Sequence, residues 1–137
     1  MPAKPTIHEA LIYAMVTMSA VDRMISDNEL SKIGNIVSQL PVFADYDQDR
    51  LVKTAEACGN ILSEEDGLDA ILGIIAKALP KKLHETAYAL AVEIAAVDRD
   101  VRLEELRFLE MLRDRLGLET LVVAAIERGA RARHQIP

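Results

Sequence analysis

One stretch of this chain is written twice, and that repetition limits what the chain can fold into. Residues 20–30 read Ala-Val-Asp-Arg-Met-Ile-Ser-Asp-Asn-Glu-Leu, and residues 96–106 read Ala-Val-Asp-Arg-Asp-Val-Arg-Leu-Glu-Glu-Leu, a constant offset of 76 positions (20 to 96). In each copy a run of small and apolar residues enters Ala-Val-Asp-Arg. A β-branched residue stands three positions after the aspartate (Ile25, Val101), and Glu-Leu follows four positions later (Glu29-Leu30, Glu105-Leu106). Runs that are apolar around most of a helical circumference belong to helices buried among other helices. Two of them, each followed by an acidic turn, predict a duplicated helix–turn–helix with repeat halves at about 6–40 and 82–116.

The remaining punctuation extends this to about seven helices. Thr6 with Glu9 makes a capping box for a helix over residues 7–21, and Ser26 with Glu29 makes a second for a helix ending near Leu40-Pro41. The acidic turn at Asp45–Asp49 leads into a third helix through Leu51, Ala55 and Ile61. Ser63 is the expected cap of a fourth, which ends before Pro80. A fifth, nearly all-apolar helix is expected over residues 82–97. The sixth, over residues 103–116, should turn Leu106, Leu109, Met111 and Leu112 inward and stop at Gly117. The seventh runs from about Glu119 into Arg128, Arg131 and Arg133. No segment has the alternation of a strand. The expected fold is an all-α bundle in a single domain spanning residues 1–137, with the two apolar helices side by side at its centre.

Composition agrees and narrows the function. Half of the 137 residues are hydrophobic but only 4% are aromatic, which favours helices over strands. A formal charge of −6 offers no basic face for nucleic acid. The single cysteine, Cys58, leaves no internal disulfide and no thiolate-rich metal site, which fits a reducing compartment. With no signal-peptide layout and no run of about 18 apolar residues, the expectation is a cytoplasmic protein.

Several motifs, in their order along the chain, resemble the TerB-like tellurite-resistance family. They are the repeated Ala-x-Asp turns followed by Glu, Leu-Pro-x-Phe at 40–43 and Glu-Glu-Asp-Gly-Leu at 64–68. Further on come Ala-Leu-Pro at 78–80, Glu-Thr-Ala-Tyr-Ala-Leu-Ala at 85–91 and Ile-Glu-Arg-Gly-Ala-Arg-Ala-Arg at 126–133. The resemblance covers essentially the whole chain. It implies a compact seven-helix domain without enzymatic activity, associated in bacteria with resistance to tellurite and other chemical stress. It also implies binding of a divalent cation through acidic residues, and action with protein partners at the membrane. The functional positions it points to here are Asp22 and Glu29 in the first turn, and Asp98 and Glu105 in the second. Where the family often has glycine after the aspartate, this chain has Arg23 and Arg99.

The residues themselves leave two readings of these turns open. Asp22 and Asp98 fall at helix C-termini, where the dipole is negative and a carboxylate costs about 0.3–1 kcal/mol. A Ca²⁺ or Mg²⁺ ion, taking those carboxylates, terminal carbonyls and the next helix's glutamate, would offset that cost with hard oxygen ligands. Alternatively the turn is metal-free. Asp22 then closes an Asx-turn or pairs with arginine, Glu29 serves its capping box, and the Arg23 and Arg99 guanidinium groups stand in the cation's place. In that reading the chain is an interaction or scaffold module, with an exposed apolar face for a partner or for a second copy in a homodimer.

Other acidic and nucleophilic signals are weaker. Asp45, Asp47, Asp49 and Glu56 follow the spacing of an EF-hand loop, but Arg50 occupies the place where its sharp turn needs glycine. His8, His84 and His134 lack di-iron or zincin spacing. Glu93 shares a helical face with Glu85 and reads as part of a solvent stripe, Cys58 as a small core residue, and the Arg128–Arg133 end as a solvated, dipole-compensating terminus.

Overall fold

The computed structural model describes residues 4–20, 24–98 and 102–137, and the account below concerns those residues. They form seven α-helices: α1 (Ile7–Ala20), α2 (Asp27–Gln39), α3 (Leu51–Leu62), α4 (Gly67–Ala78), α5 (His84–Asp98), α6 (Leu103–Leu116) and α7 (Thr120–Arg133). Short 3-10 turns at Pro41–Phe43, Gln48–Arg50 and Lys81–Leu83 complete the described secondary structure. The fold is all-α.

The two apolar helices are the centre. Every side chain from Ala10 to Ala20 is buried, and α5 buries Ala87, Tyr88, Leu90, Ala91, Val92, Ile94 and Ala95. These helices pack against one another more extensively than any other pair. Both anticipated capping boxes are formed. Thr6 Oγ1 accepts from the Glu9 amide at 3.1 Å, while Glu9 Oε1 accepts from the Thr6 amide at 2.9 Å. Ser26 and Glu29 repeat the exchange at 3.1 and 2.9 Å. At the other end, Leu40 is forced into extended backbone by Pro41, and α2 stops there. Gly117 ends α6 with φ +66°, its amide bonding the Asp114 carbonyl and the Leu118 amide bonding that of Arg113. This is the paired 5→2 and 6→1 closure that a left-handed glycine permits.

The structure corrects two local expectations. Ser63 closes α3 instead of opening α4: its amide bonds the Gly59 carbonyl, and Asp66, in the left-handed region at φ 58°, is the residue that precedes α4. The chain turns this sharply because Gly67 sits against the end of α3, where a Cβ would lie 2.3 Å from the Ile61 carbonyl oxygen. The acidic turn does lead into α3 as expected, Asp47 capping a 3-10 turn by accepting from the Asp49 amide and α3 beginning at Leu51. Finally, Leu106 points outward while Leu109 and Leu112 are buried and Met111 is half-buried.

Around the central pair the helices form two similar triplets. In one, α2 and α3 both pack on α1; in the other, α6 and α7 both pack on α5. Helix α4 stands between them, leaning on α3, α1 and α6, with Arg115 of α6 paired to Asp69 of α4 at 2.5 Å. The two third helices are buried unequally: α3 buries Leu51, Thr54, Ala55 and Cys58, whereas α7 buries Val123 and Ala130, with Ile126 half-buried against the core.

Candidate functional site

The repeated turns were the first candidate. Ala20 ends α1, and Asp22, Arg23 and Arg99 lie outside the described residues. Asp98 is the last residue of α5 and is half-buried. Glu29 is also half-buried and gives Oε1 to the Ser26 amide, as a capping glutamate does. Glu105, its counterpart, is only 5% exposed in the first turn of α6. The two copies of the repeat therefore differ: one glutamate is at the surface edge, the other inside. Among the described residues no three of His, Cys, Asp or Glu come together as a metal site.

The EF-hand-like spacing is not used as an EF-hand. Asp45, Asp47 and Asp49 are exposed, the backbone coils into a 3-10 turn at Gln48–Arg50, and Glu56 lies on the outer side of α3. The loop is instead fixed by its aromatic residues. Tyr46 shares a hydrogen bond with Thr54 at 3.0 Å, and the His8 ring sits 5.7 Å from Phe43 and 5.4 Å from Tyr46 while bonding the Val42 carbonyl at 2.8 Å.

Cys58 is wholly buried on α3, within 3.5 Å of the Thr17 hydroxyl. Burial pushes its thiol up to about 11, and the Thr17 hydrogen bond only partly opposes this. A thiol held that high supplies little thiolate, the reactive form. It is a core residue, as its surroundings in sequence suggest.

Polar groups converge instead between α5, α6 and α7. The Tyr88 hydroxyl, on a buried ring of α5, donates to Glu127 Oε2 on α7 at 2.5 Å. Burial first, and then the Glu127 hydrogen bond and charge, raise the Tyr88 hydroxyl well above its ordinary value, with Arg113 opposing. Beside this pair lies an open cleft of about 160 Å³ walled by Leu106, Leu109, Glu110 and Arg113 of α6. Farther along α5, Glu93 accepts from Arg133 at 2.6 Å and from His134 Nε2–H at 2.5 Å. Glu93 is therefore not part of a solvent stripe, and the end of α7 is not merely solvated. Burial works against the charge on Glu93, but the hydrogen bonds and charges of Arg133 and His134 outweigh it and hold its carboxyl below the ordinary range.

A depressed carboxyl has a definite pH signature. Its contribution to stability is complete above the unfolded-state value near 4.5 and is lost as pH falls through the lower folded value. The stability that the native chain has over Glu93→Gln should accordingly shrink as pH falls below that unfolded-state value. Thermal unfolding followed by circular dichroism through the acid range checks it, and a difference that does not shrink on acidification would contradict the pairing.

Above the cleft, α6 shows apolar side chains to solvent: Leu103 is 80% exposed and Leu106 52%. At the corresponding places of the first repeat stand Asp27, which is exposed and charged, and Leu30, which is half-buried. The first copy exposes Met24 before its helix, and the pair of exposed leucines along the helix belongs to the second copy. A wider groove of about 440 Å³ between α2 and α3 is of mixed lining, with Leu30, Leu51 and Val52 beside Ser31, Asn35, Ser38 and Gln48. Among the described residues no helix is long and apolar enough to cross a membrane. Compared with family models, curated proteins and solved structures, the chain matches none.

Proposed function

We propose that this chain is a non-enzymatic stress-response module of the tellurite-resistance type, working by docking protein partners along the second repeat. The observation that supports this best is the Leu103–Leu106 edge, which is more exposed and more apolar than the Asp27–Leu30 pair of its duplicate and borders the open cleft at Tyr88, Arg113 and Glu127. Exposed leucines that a repeat does not need for packing lower solubility unless a partner covers them. A photo-crosslinking residue placed at position 103 or 106 in the producing cells should trap a defined partner or a second copy. The same residue at the exposed position 56 of α3 should not. Identical patterns from both helices, or none from α6, would sink the docking reading.

A second reading, a divalent cation at the repeated turns, draws support from Glu105, a carboxylate buried one helical turn beyond the second turn. There Asp98 and Glu105, with Asp22 and Glu29 in the other copy, would supply the hard oxygen donors that Ca²⁺ or Mg²⁺ prefers. Calorimetric titration with Ca²⁺, Mg²⁺, Zn²⁺ and Mn²⁺ separates the readings. Saturable heat lost in Asp22→Asn/Asp98→Asn supports the cation. With docking alone the titration is flat and thermal stability is unchanged by metal or chelator.

A further inference from the structure

The two triplets are built alike but fastened differently, and the difference falls on one helix. At the repeat-related positions 17 and 93, each central helix holds its third helix with a polar side chain. Thr17 does so with a neutral contact to buried Cys58. Glu93 does so with an ionic one, to Arg133 and His134. The first arrangement is sealed: α3 is gripped by α1 and α4 and buries Leu51, Thr54, Ala55 and Cys58. The second is open. Helix α7 rests on α5 and on no other helix to a comparable extent, and it buries only Val123 and Ala130. Half-buried Ile126 adds one apolar contact, and the rest of its hold is polar, Tyr88–Glu127 midway along α7 and the Glu93 pair at the other end, 60% of the Arg133 side chain being in solvent. It is joined to α6 only by Gly117, Leu118 and Glu119.

What it covers is a site in its own right. At 100° per residue, Tyr88 and Glu93 flank a strip of α5 formed by Ala89, Val92 and Ala96. Small residues there let another helix approach closely. Resting on the docking reading above, we infer that the docking surface continues beneath α7. Helix α7 is a releasable cover, and the occupant is a partner helix of α7-like chemistry. It carries a small-residue face, a carboxylate for the Tyr88 hydroxyl and a cation one to two turns later for Glu93. The complementarity is visible in the cover itself: a hydroxyl donor meets an acid, and an acid meets a base, six residues apart on α7 (Glu127, Arg133). Local opening of this kind belongs to the elements with fewest buried contacts.

The probe is a labelled synthetic peptide of residues 118–137, titrated into the full chain and read by fluorescence anisotropy. Loosening the resident helix by Glu127→Gln/Arg133→Ala should tighten peptide binding by about tenfold, since each polar hold contributes modestly. Damaging the site by Glu93→Gln/Tyr88→Phe loosens the resident helix and the peptide alike, so binding should not tighten. That contrast is the signature, because a merely destabilised chain would move both variants the same way. Hydrogen exchange gives the independent measure: α7 amides should exchange at least tenfold faster than those of α3, and faster still in the loosened variant. The inference is overturned if α7 exchanges only with the global core, or if no variant binds the peptide. It is overturned equally if both variants shift binding in one direction. Failure of the photo-crosslinking at Leu103 with success here would reject the α6 edge while leaving the covered strip standing.

Discussion

Replacing Phe108 by alanine is expected to lower the free energy of unfolding by about 4 kcal/mol, the upper range for emptying a fully buried aromatic site. Phe108 has no solvent exposure and is one of the two largest side chains buried completely. It belongs to α6, which also buries Glu105 in its first turn and the aliphatic Leu109, Leu112 and Leu116. With only two phenylalanines in the chain, few neighbours are large enough to collapse into the space left. Since a domain of this size is stable by about 5–15 kcal/mol, the variant should remain folded but melt more than about 10 °C lower. Urea unfolding checks it. A loss below 1 kcal/mol at an unchanged m-value would mean that the core around α6 is far more pliable than its burial implies.

Gly67→Ala should cost about 3 kcal/mol, although it adds only one methyl group to a helix. The added Cβ would meet the Ile61 carbonyl oxygen at 2.3 Å and the Leu62 carbonyl oxygen at 2.7 Å, and neither is the tip of a flexible side chain. Relief requires moving the end of α3 away from the start of α4, and hence disturbing Cys58, Ile71 and Ile75, which lie in the same core. Overpacking of this kind usually costs about 1–3 kcal/mol, more where the backbone must yield. The control is Gly59→Ala on the same helix α3, where nothing lies within 4 Å. There the helix-propensity gain of about 1 kcal/mol should appear as stabilisation. If the two variants behave alike, the close approach at Gly67 is not what fixes the α3–α4 corner.

What could be read from the sequence, and what could not, divides along the range of the interactions. Thr6 with Glu9 and Ser26 with Glu29 are local exchanges, so both helix starts were legible. The glycine closure at Gly117 and the break at Leu40-Pro41 are local too. The central pairing of α1 with α5 followed from runs too apolar to lie on any surface. Ser63 misled because serine caps a helix start in general, while the true corner depends on Gly67 approaching a carbonyl six residues back. Leu106 misled because heptad spacing marks a face without saying whether another helix covers it, and its duplicate Leu30 is covered further. The Tyr88–Glu127 and Glu93–His134 pairs join residues about forty positions apart, beyond any local pattern. One signal was available: a tyrosine on a wholly apolar helix needs a partner for its hydroxyl. Of the repeated turns, residues 21–23 and 99–101 lie outside the described residues.

The sealing of Cys58 has a use of its own. The chain carries one thiol, placed under α1 and α4 and raised to about 11, so a reagent in solution reaches it only when the first triplet comes apart. Motions of the second triplet leave it silent. The molecule thus contains a built-in clock for global opening, one that does not tick when α7 alone departs. The two scales of breathing can be timed separately in a single unmodified chain.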